Sequence, residues 1–282
     1  MYTYEMLTEQ IAELKREYGI SVFYFGDSVM GRPLPCLVIP GNRKKLFVNA
    51  SHHGLEFITS QVLMNFAAEV LARGSYVGAT MYLAPMINPD GVNLAQNAIN
   101  PATFDYKRAV YLNGESTDFS SGWQSNIRGV DLNHNYPALW GTGALASFAA
   151  GYTCPGRTRY SGMYPFSEPE SRAVRDLCFE RDFDMAIALH SQGEVIYWNF
   201  NNLADERAKQ IGQRLAAASG YALEEAEGIA STGGFKDWFM QEYRRPAYTV
   251  EVGRGKNPLP QEQLPQIQKD VFPLLYEAAR LA

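Results

Sequence analysis

The chain has 282 residues, a formal net charge of −5 and 46% apolar residues. That content suffices for a large core and lies near the upper limit for one unit, so residues 1–282 read as a single domain. An acidic balance argues against nucleic acid or an anionic membrane surface as partner, and no apolar stretch reads as long enough to span a bilayer.

Tyr4 to Tyr18 has helical periodicity, and strands follow near Ser21 to Phe25 and Leu34 to Ile39. Met1-Tyr2-Thr3-Tyr4-Glu5-Met6 lacks the basic start and apolar run of a secretory leader, which points to a cytoplasmic location. Cys36, Cys154 and Cys178 match no Cys-x-x-Cys spacing; they read as reduced thiols, with Cys36 and Cys178 in the core. Lys45 to Ala50 is a buried strand, Ser51 to Gly54 the loop at its end, and Glu56 the start of a helix through Ile58, Val62, Leu63, Phe66 and Val70. Further strands near residues 80, 185 and 247 alternate with helical stretches, which predicts an α/β fold with a mixed sheet flanked by helices. Ser167-Glu168-Pro169-Glu170 reads as a capping box, and Asn202 opens a helix that stops at Gly220. The last helix, Pro260 to Leu281, is expected to bury Leu264, Ile267, Val271, Leu274 and Leu275. The aperiodic segments 97–124 and 139–160 are expected to wall a cleft.

Chemistry concentrates at strand ends. His53 and Glu56 stand three residues apart on one strand-to-helix corner, and His190 closes a second apolar strand, Asp182 to Leu189. Two imidazoles and one carboxylate are a ligand set for a catalytic zinc, because the fourth position stays open to water. His52 is expected to be a neighbour, not a ligand. Glu251 is the one charged residue of a third strand, Ala247 to Gly253, where burial would raise a carboxyl towards the range of a general base.

These residues, with Asn88-Pro89-Asp90-Gly91, Gly129-Val130-Asp131-Leu132-Asn133, His190-Ser191-Gln192 and Gly233-Gly234-Phe235-Lys236-Asp237-Trp238, resemble the zinc metallocarboxypeptidases from about residue 40 onward. The likeness is strongest to the bacterial branch that cleaves γ-D-glutamyl-diaminopimelate bonds in cell-wall peptides, through Asn126 to Asn133 and Gly253 to Pro260. The resemblance implies one zinc per chain on His53, Glu56 and His190, Glu251 as catalytic base, and Asn133 as holder of the leaving residue's carboxylate. His134 stands where digestive members carry an Arg, and it cannot fork onto a carboxylate as a guanidinium does. Ile229 stands where they carry a Tyr. Lys236 occupies the position that sets pocket preference and implies an acidic group on the leaving residue. Arg128 is read as the cation that stabilises the oxyanion, with a structural pairing to Asp131 as the alternative. The expected substrate is therefore a small murein-derived peptide. Rival readings are an ordinary metallocarboxypeptidase, an N-acyl amino acid deacylase on the same scaffold, or a binding module without chemistry.

Overall fold

The structure is a computed structural model that describes residues 1–76, 78–226 and 232–282; Ile229 lies outside the described residues. In chain order the elements are α1 (Tyr4–Tyr18), β1 (Ser21–Asp27), β2 (Pro33–Ile39), β3 (Asn42–Ala50), α2 (Phe57–Arg73), β4 (Ala79–Ala84), α3 (Pro89–Ala95), α4 (Phe104–Leu112), α5 (Trp140–Ala149) and α6 (Pro169–Arg181). They continue with β5 (Met185–His190), β6 (Val195–Tyr197), α7 (Glu206–Ser219), β7 (Ala222–Glu224), α8 (Phe235–Tyr243), β8 (Ala247–Glu251) and α9 (Leu264–Leu281). Among the described residues the strands form one eight-stranded mixed sheet in the order β1-β2-β4-β3-β5-β8-β6-β7.

The centre of that sheet explains the apolar runs. Strands β4, β3, β5 and β8 pair in parallel and are covered on both faces. Leu46, Val48 and Ala50 point to a core shared with α1, α2 and α9; Phe47, between them, points to the opposite core with Phe183 and Phe235. Parallel register brings the carboxyl ends of β3, β5 and β8 to one edge, where open α/β sheets bind ligands.

Several local expectations change. The stretch Gly54–Arg73 is long and apolar enough to cross a bilayer, contrary to the reading of the sequence, but it is mostly buried as the core helix α2. No capping box forms at α6. Its N-cap is Glu168, with no side-chain cap bond, and the Ser167 hydroxyl turns to Glu168 Oε1 at 2.9 Å. Pro169 in the first turn already supplies helical φ and has no N–H to cap. Asp205, not Asn202, caps α7 by accepting from the Ala208 N–H at 2.7 Å; Asn201 and Asn202 occupy a left-handed turn before it. The aperiodic segments hold α4 and α5. Leu264 is half-buried, while Ile267, Val271, Leu274 and Leu275 are in the core as expected, as are Cys36 and Cys178.

Candidate metal centre

The loop after β3 is held by close backbone approach. A Cβ on Gly54 would sit 2.6 Å from the Gly91 carbonyl oxygen, so only glycine lets this corner press against α3. Asn88 pins the same corner, donating to the His52 carbonyl at 3.0 Å and the Ser125 carbonyl at 3.1 Å. A short 3₁₀ turn, Gly54–Glu56, then brings the Glu56 carboxylate back beside His53.

The two oxygens of Glu56 each meet one imidazole. Oε1 lies 2.9 Å from His53 Nδ1, and Oε2 lies 2.9 Å from His190 Nδ1. One ligand atom from each residue falls within 4.8 Å of the others. A tetrahedral zinc with bonds of about 2.0–2.2 Å separates its ligand atoms by roughly 3.3 Å, so the donor set suits that ion with little rearrangement. His53 Nε2 lies 3.1 Å from Asp131 Oδ1, the carboxylate support that metal-ligating imidazoles commonly have. His52 is directed elsewhere: its Nε2 meets the Tyr136 hydroxyl at 2.9 Å inside an aromatic cluster.

Charge pairing sets the electrostatics. Burial alone would raise the Glu56 carboxyl, but His53 and His190 outweigh it and hold its pKa at about 2. Burial would likewise lower His53; Glu56 and Asp131 override it and lift the imidazole well above its ordinary value. Asp131 is buried yet held below the usual carboxylate range by His53 and His134. Glu251 moves the other way. It follows His190 across the β5–β8 ladder as that residue's register partner, and burial and then Glu56 raise it well above an ordinary carboxyl. A carboxyl raised in this way is a stronger base than an ordinary one.

The cleft over this edge has a volume of about 610 Å³, within the range of small-ligand sites. Asn133, His134, Lys236 and Glu251 line it with His53 and Glu56. Asp131 caps the 3₁₀ turn Leu132–His134 by accepting from the Asn133 N–H at 3.2 Å. Asn133 Oδ1 accepts from the Phe235 N–H at 3.0 Å, and a Cβ on Gly233 (φ 73°) would lie 2.7 Å from the His134 carbonyl oxygen. The glycine pair thus lets the start of α8 press onto this turn. Burial lowers His134, which favours a neutral ring. Lys236 is buried, donates to the Asn199 carbonyl at 2.7 Å and pairs with Asp237. Its charge is already matched.

Arg128 does not reach the cleft. Its guanidinium lies 3.6 Å from Glu168 Oε2 and is 41% exposed, so neither the expected oxyanion position nor the pairing with Asp131 is adopted. Gly129, in the left-handed region at φ 77°, turns the chain between the two residues. Arg159 lines the cleft instead, its backbone N–H donating to Asp131 Oδ2 at 2.9 Å and its guanidinium lying over the Tyr152 ring. Sequence reasoning missed Arg159, Asp131 as partner of His53, and Asn257, whose amide lies 3.4 Å from Glu56 Oε1. Asp131 and Asn257 lay within segments already singled out, Gly129 to Asn133 and Gly253 to Pro260; Arg159 carries no local signal. The ends of the two aperiodic segments, through Gly122, Gln124, Thr158 and Arg159, do reach the cleft.

A mixed sheet whose parallel strands end in two imidazoles and two carboxylates around one cleft has the layout of a metal-dependent hydrolase. Residues 7–274 match the family described as zinc carboxypeptidase, and the chain belongs to that family of zinc metallopeptidases. It is 36% identical to gamma-D-glutamyl-L-diamino acid endopeptidase 1 of Lysinibacillus sphaericus, over 96% of this chain and 70% of that one. Bovine thrombin-activatable fibrinolysis inhibitor, in complex with tick carboxypeptidase inhibitor, shares the fold with a TM-score of 0.75 at 17% identity, covering 98% of this chain and 95% of that one. The murein-tripeptide amidase MpaA from Escherichia coli O157 shares it with a TM-score of 0.59 at 21% identity, covering 91% and 92%.

Proposed function

We propose that the protein hydrolyses the γ-D-glutamyl-diaminopimelate bond of small murein-derived peptides. The observation that carries this reading is the 36% identity, along nearly the whole chain, to a γ-D-glutamyl-L-diamino acid endopeptidase. In this reading residues 1–282 act as one catalytic unit in the cytoplasm, with one zinc per chain on His53, Glu56 and His190. Neither nucleic acid nor a membrane is a partner.

Zinc supplies Lewis-acid chemistry, polarising the scissile carbonyl and acidifying a water molecule. The protein's residues do the rest. Glu251 takes a proton from the attacking water at its carboxylate and returns it to the leaving amine nitrogen. Asp131 fixes the His53 ring through Nε2 and keeps Nδ1 turned to the centre. Arg159 takes the part expected of Arg128, meeting the negative charge that develops on the carbonyl oxygen, because it lines the cleft and Arg128 does not. Asn133 and His134 hold the leaving residue, and Lys236 attracts its distal carboxylate. Asp237 tempers that attraction, so Lys236 contributes selectivity and not the whole of recognition.

The test is a product analysis by mass on zinc-loaded protein. The panel holds the γ-D-glutamyl-diaminopimelate tripeptide, its lysine counterpart, ordinary C-terminal peptides and N-acyl amino acids. Cleavage of the tripeptide at the γ-glutamyl bond is expected, with kcat/KM above that for the lysine peptide. Release of ordinary C-terminal residues alone, or of acyl groups alone, would replace this reading with the corresponding rival.

A further inference from the structure

The cleft lining has two separately bonded walls. One is built from Asn133, His134, Gly234, Lys236 and Asp237, joined through the bond from Phe235 N–H to Asn133. The other is built from Ser191, Gln192, Gly255, Lys256 and Asn257. His53, Glu56 and Glu251 belong to the same lining.

The second wall is a braced loop. Gly193 N–H donates to the Gly253 carbonyl at 2.8 Å, and Gly255 N–H donates to Gln192 Oε1 at 3.2 Å. Asn257 is held twice by Ser191, accepting from its hydroxyl at 2.8 Å and donating to its carbonyl at 2.6 Å. Two left-handed glycines, Gly253 and Gly255, at φ 65° and 116°, fold the segment back towards the metal centre. Its two cations are treated differently. Arg254 turns outward to Glu194 at 2.5 Å, whereas Lys256 lines the cleft and, among the described residues, has no acidic partner. Lys236 on the first wall is matched by Asp237. Lys256 is therefore an uncompensated charge on a different segment of the lining from Asn133 and His134, next in sequence to Asn257, which itself touches Glu56.

We propose that Lys256 binds the free α-carboxylate of the residue on the acyl side of the scissile bond, and thereby selects γ-linked glutamyl substrates. The inference rests on the function proposed above. It follows from the chemistry of that linkage: a glutamyl residue joined through its side chain leaves its α-carboxylate unused, one carbon chain away from the reacting carbonyl. With Asn133 and His134 assigned to the leaving side and Arg159 to the carbonyl oxygen, Lys256 is the remaining unmatched cation of the lining, among the described residues, available to that carboxylate. An ordinary α-linked residue offers no anion at that place.

The experiment compares two substrates that differ only there: L-alanyl-γ-D-glutamyl-diaminopimelate, and its analogue with the α-carboxylate converted to a carboxamide. Zinc-loaded wild-type protein is expected to favour the carboxylate by about 10- to 100-fold in kcat/KM, as charge-assisted contacts do. Lys256→Ala should remove that preference by lowering kcat/KM on the carboxylate alone, and Lys256→Arg should restore most of it. Lys256 is exposed, so neither change disturbs the core. Equal losses on both substrates, or a wild-type protein that cleaves both alike, would overturn the role of Lys256 while leaving γ-glutamyl cleavage standing. Hydrolysis of neither γ-linked substrate, with ordinary peptides cleaved, would overturn the parent reading and this one together.

Discussion

Two buried glutamates on this scaffold are driven in opposite directions. Glu56 and Glu170 are both nearly inaccessible, yet Glu56 is held at about 2 and Glu170 is pushed up to about 8. Burial acts on both in the same sense. The difference lies in the neighbours: Glu56 sits between two imidazoles, whereas burial and then the charge of Asp90 raise Glu170, with Glu168 adding to it. Glu170 has only modest support, from the Val29 N–H at 3.1 Å and the Asn126 amide at 3.4 Å. The same side chain is thus a ready anion at the cleft and a reluctant one behind it. A metal centre needs the first kind, since ligands must be deprotonated to bind.

Breaking the paired site should have the largest effect. His53→Ala or His190→Ala is expected to abolish zinc binding and with it hydrolysis, while His52→Ala keeps the metal; full zinc content in the first two variants, measured by atomic emission, would remove the ligand assignment. Glu251→Gln should retain zinc and fold but lower kcat by on the order of 10³, within the span of general-base loss. Near-normal turnover would mean that another group activates the water. Arg159→Ala should lower kcat by about 10²–10³ through the lost oxyanion contact, and Arg128→Ala by no more than a few-fold. The reverse order would return the role to Arg128.

The acidic cluster is tested by stability against pH. Because the folded pKa of Glu170, about 8, lies above the unfolded value of 4.5, its contribution to stability is complete below 4.5 and is lost as pH rises through 8. Glu170→Gln keeps a carbonyl acceptor for Val29 and removes that loss. It should stabilise the protein by a few kcal/mol at pH 9, at about 1.4 kcal/mol per pH unit crossed, and change little at pH 4. Parallel urea-melt profiles of the two proteins from pH 4 to 9 would contradict the raised value. A smaller effect sharpens the contrast from the metal side. Glu56 and Asp131 raise the His53 pKa, and an imidazole must be deprotonated to take a metal. Zinc binding near neutral pH should release about one proton, and affinity should fall roughly tenfold per pH unit of acidification. Calorimetry in buffers of different protonation enthalpy reads this directly; identical heats would show that no proton leaves.

Much of this site is visible in one dimension because its geometry is local or repeats along strands. The three-residue step from His53 to Glu56 on a strand-to-helix corner puts two candidate ligands together wherever the chain goes, and apolar runs ending in His190 and Glu251 identify strands that deliver a side chain to an edge. The family likeness drew on these same positions and on glycines 54 and 233, whose close backbone approach to Gly91 and His134 appears only in the fold. Only the tertiary structure decides the rest. That β5 and β8 are neighbours, with His190 opposite Glu251, depends on strand order. Asp131 reaches His53 across 78 residues, and Asn257 reaches Glu56 across 201. Which arginine enters the cleft turns on one left-handed residue, Gly129, and on whether Glu168 is near enough to claim Arg128. Whether a lysine is free or matched, as Lys256 and Lys236 differ, depends on packing that brings an acid to one and not the other. Periodicity reports the face a residue takes within its own element, and long-range contacts are set by how elements dock, which no local pattern encodes.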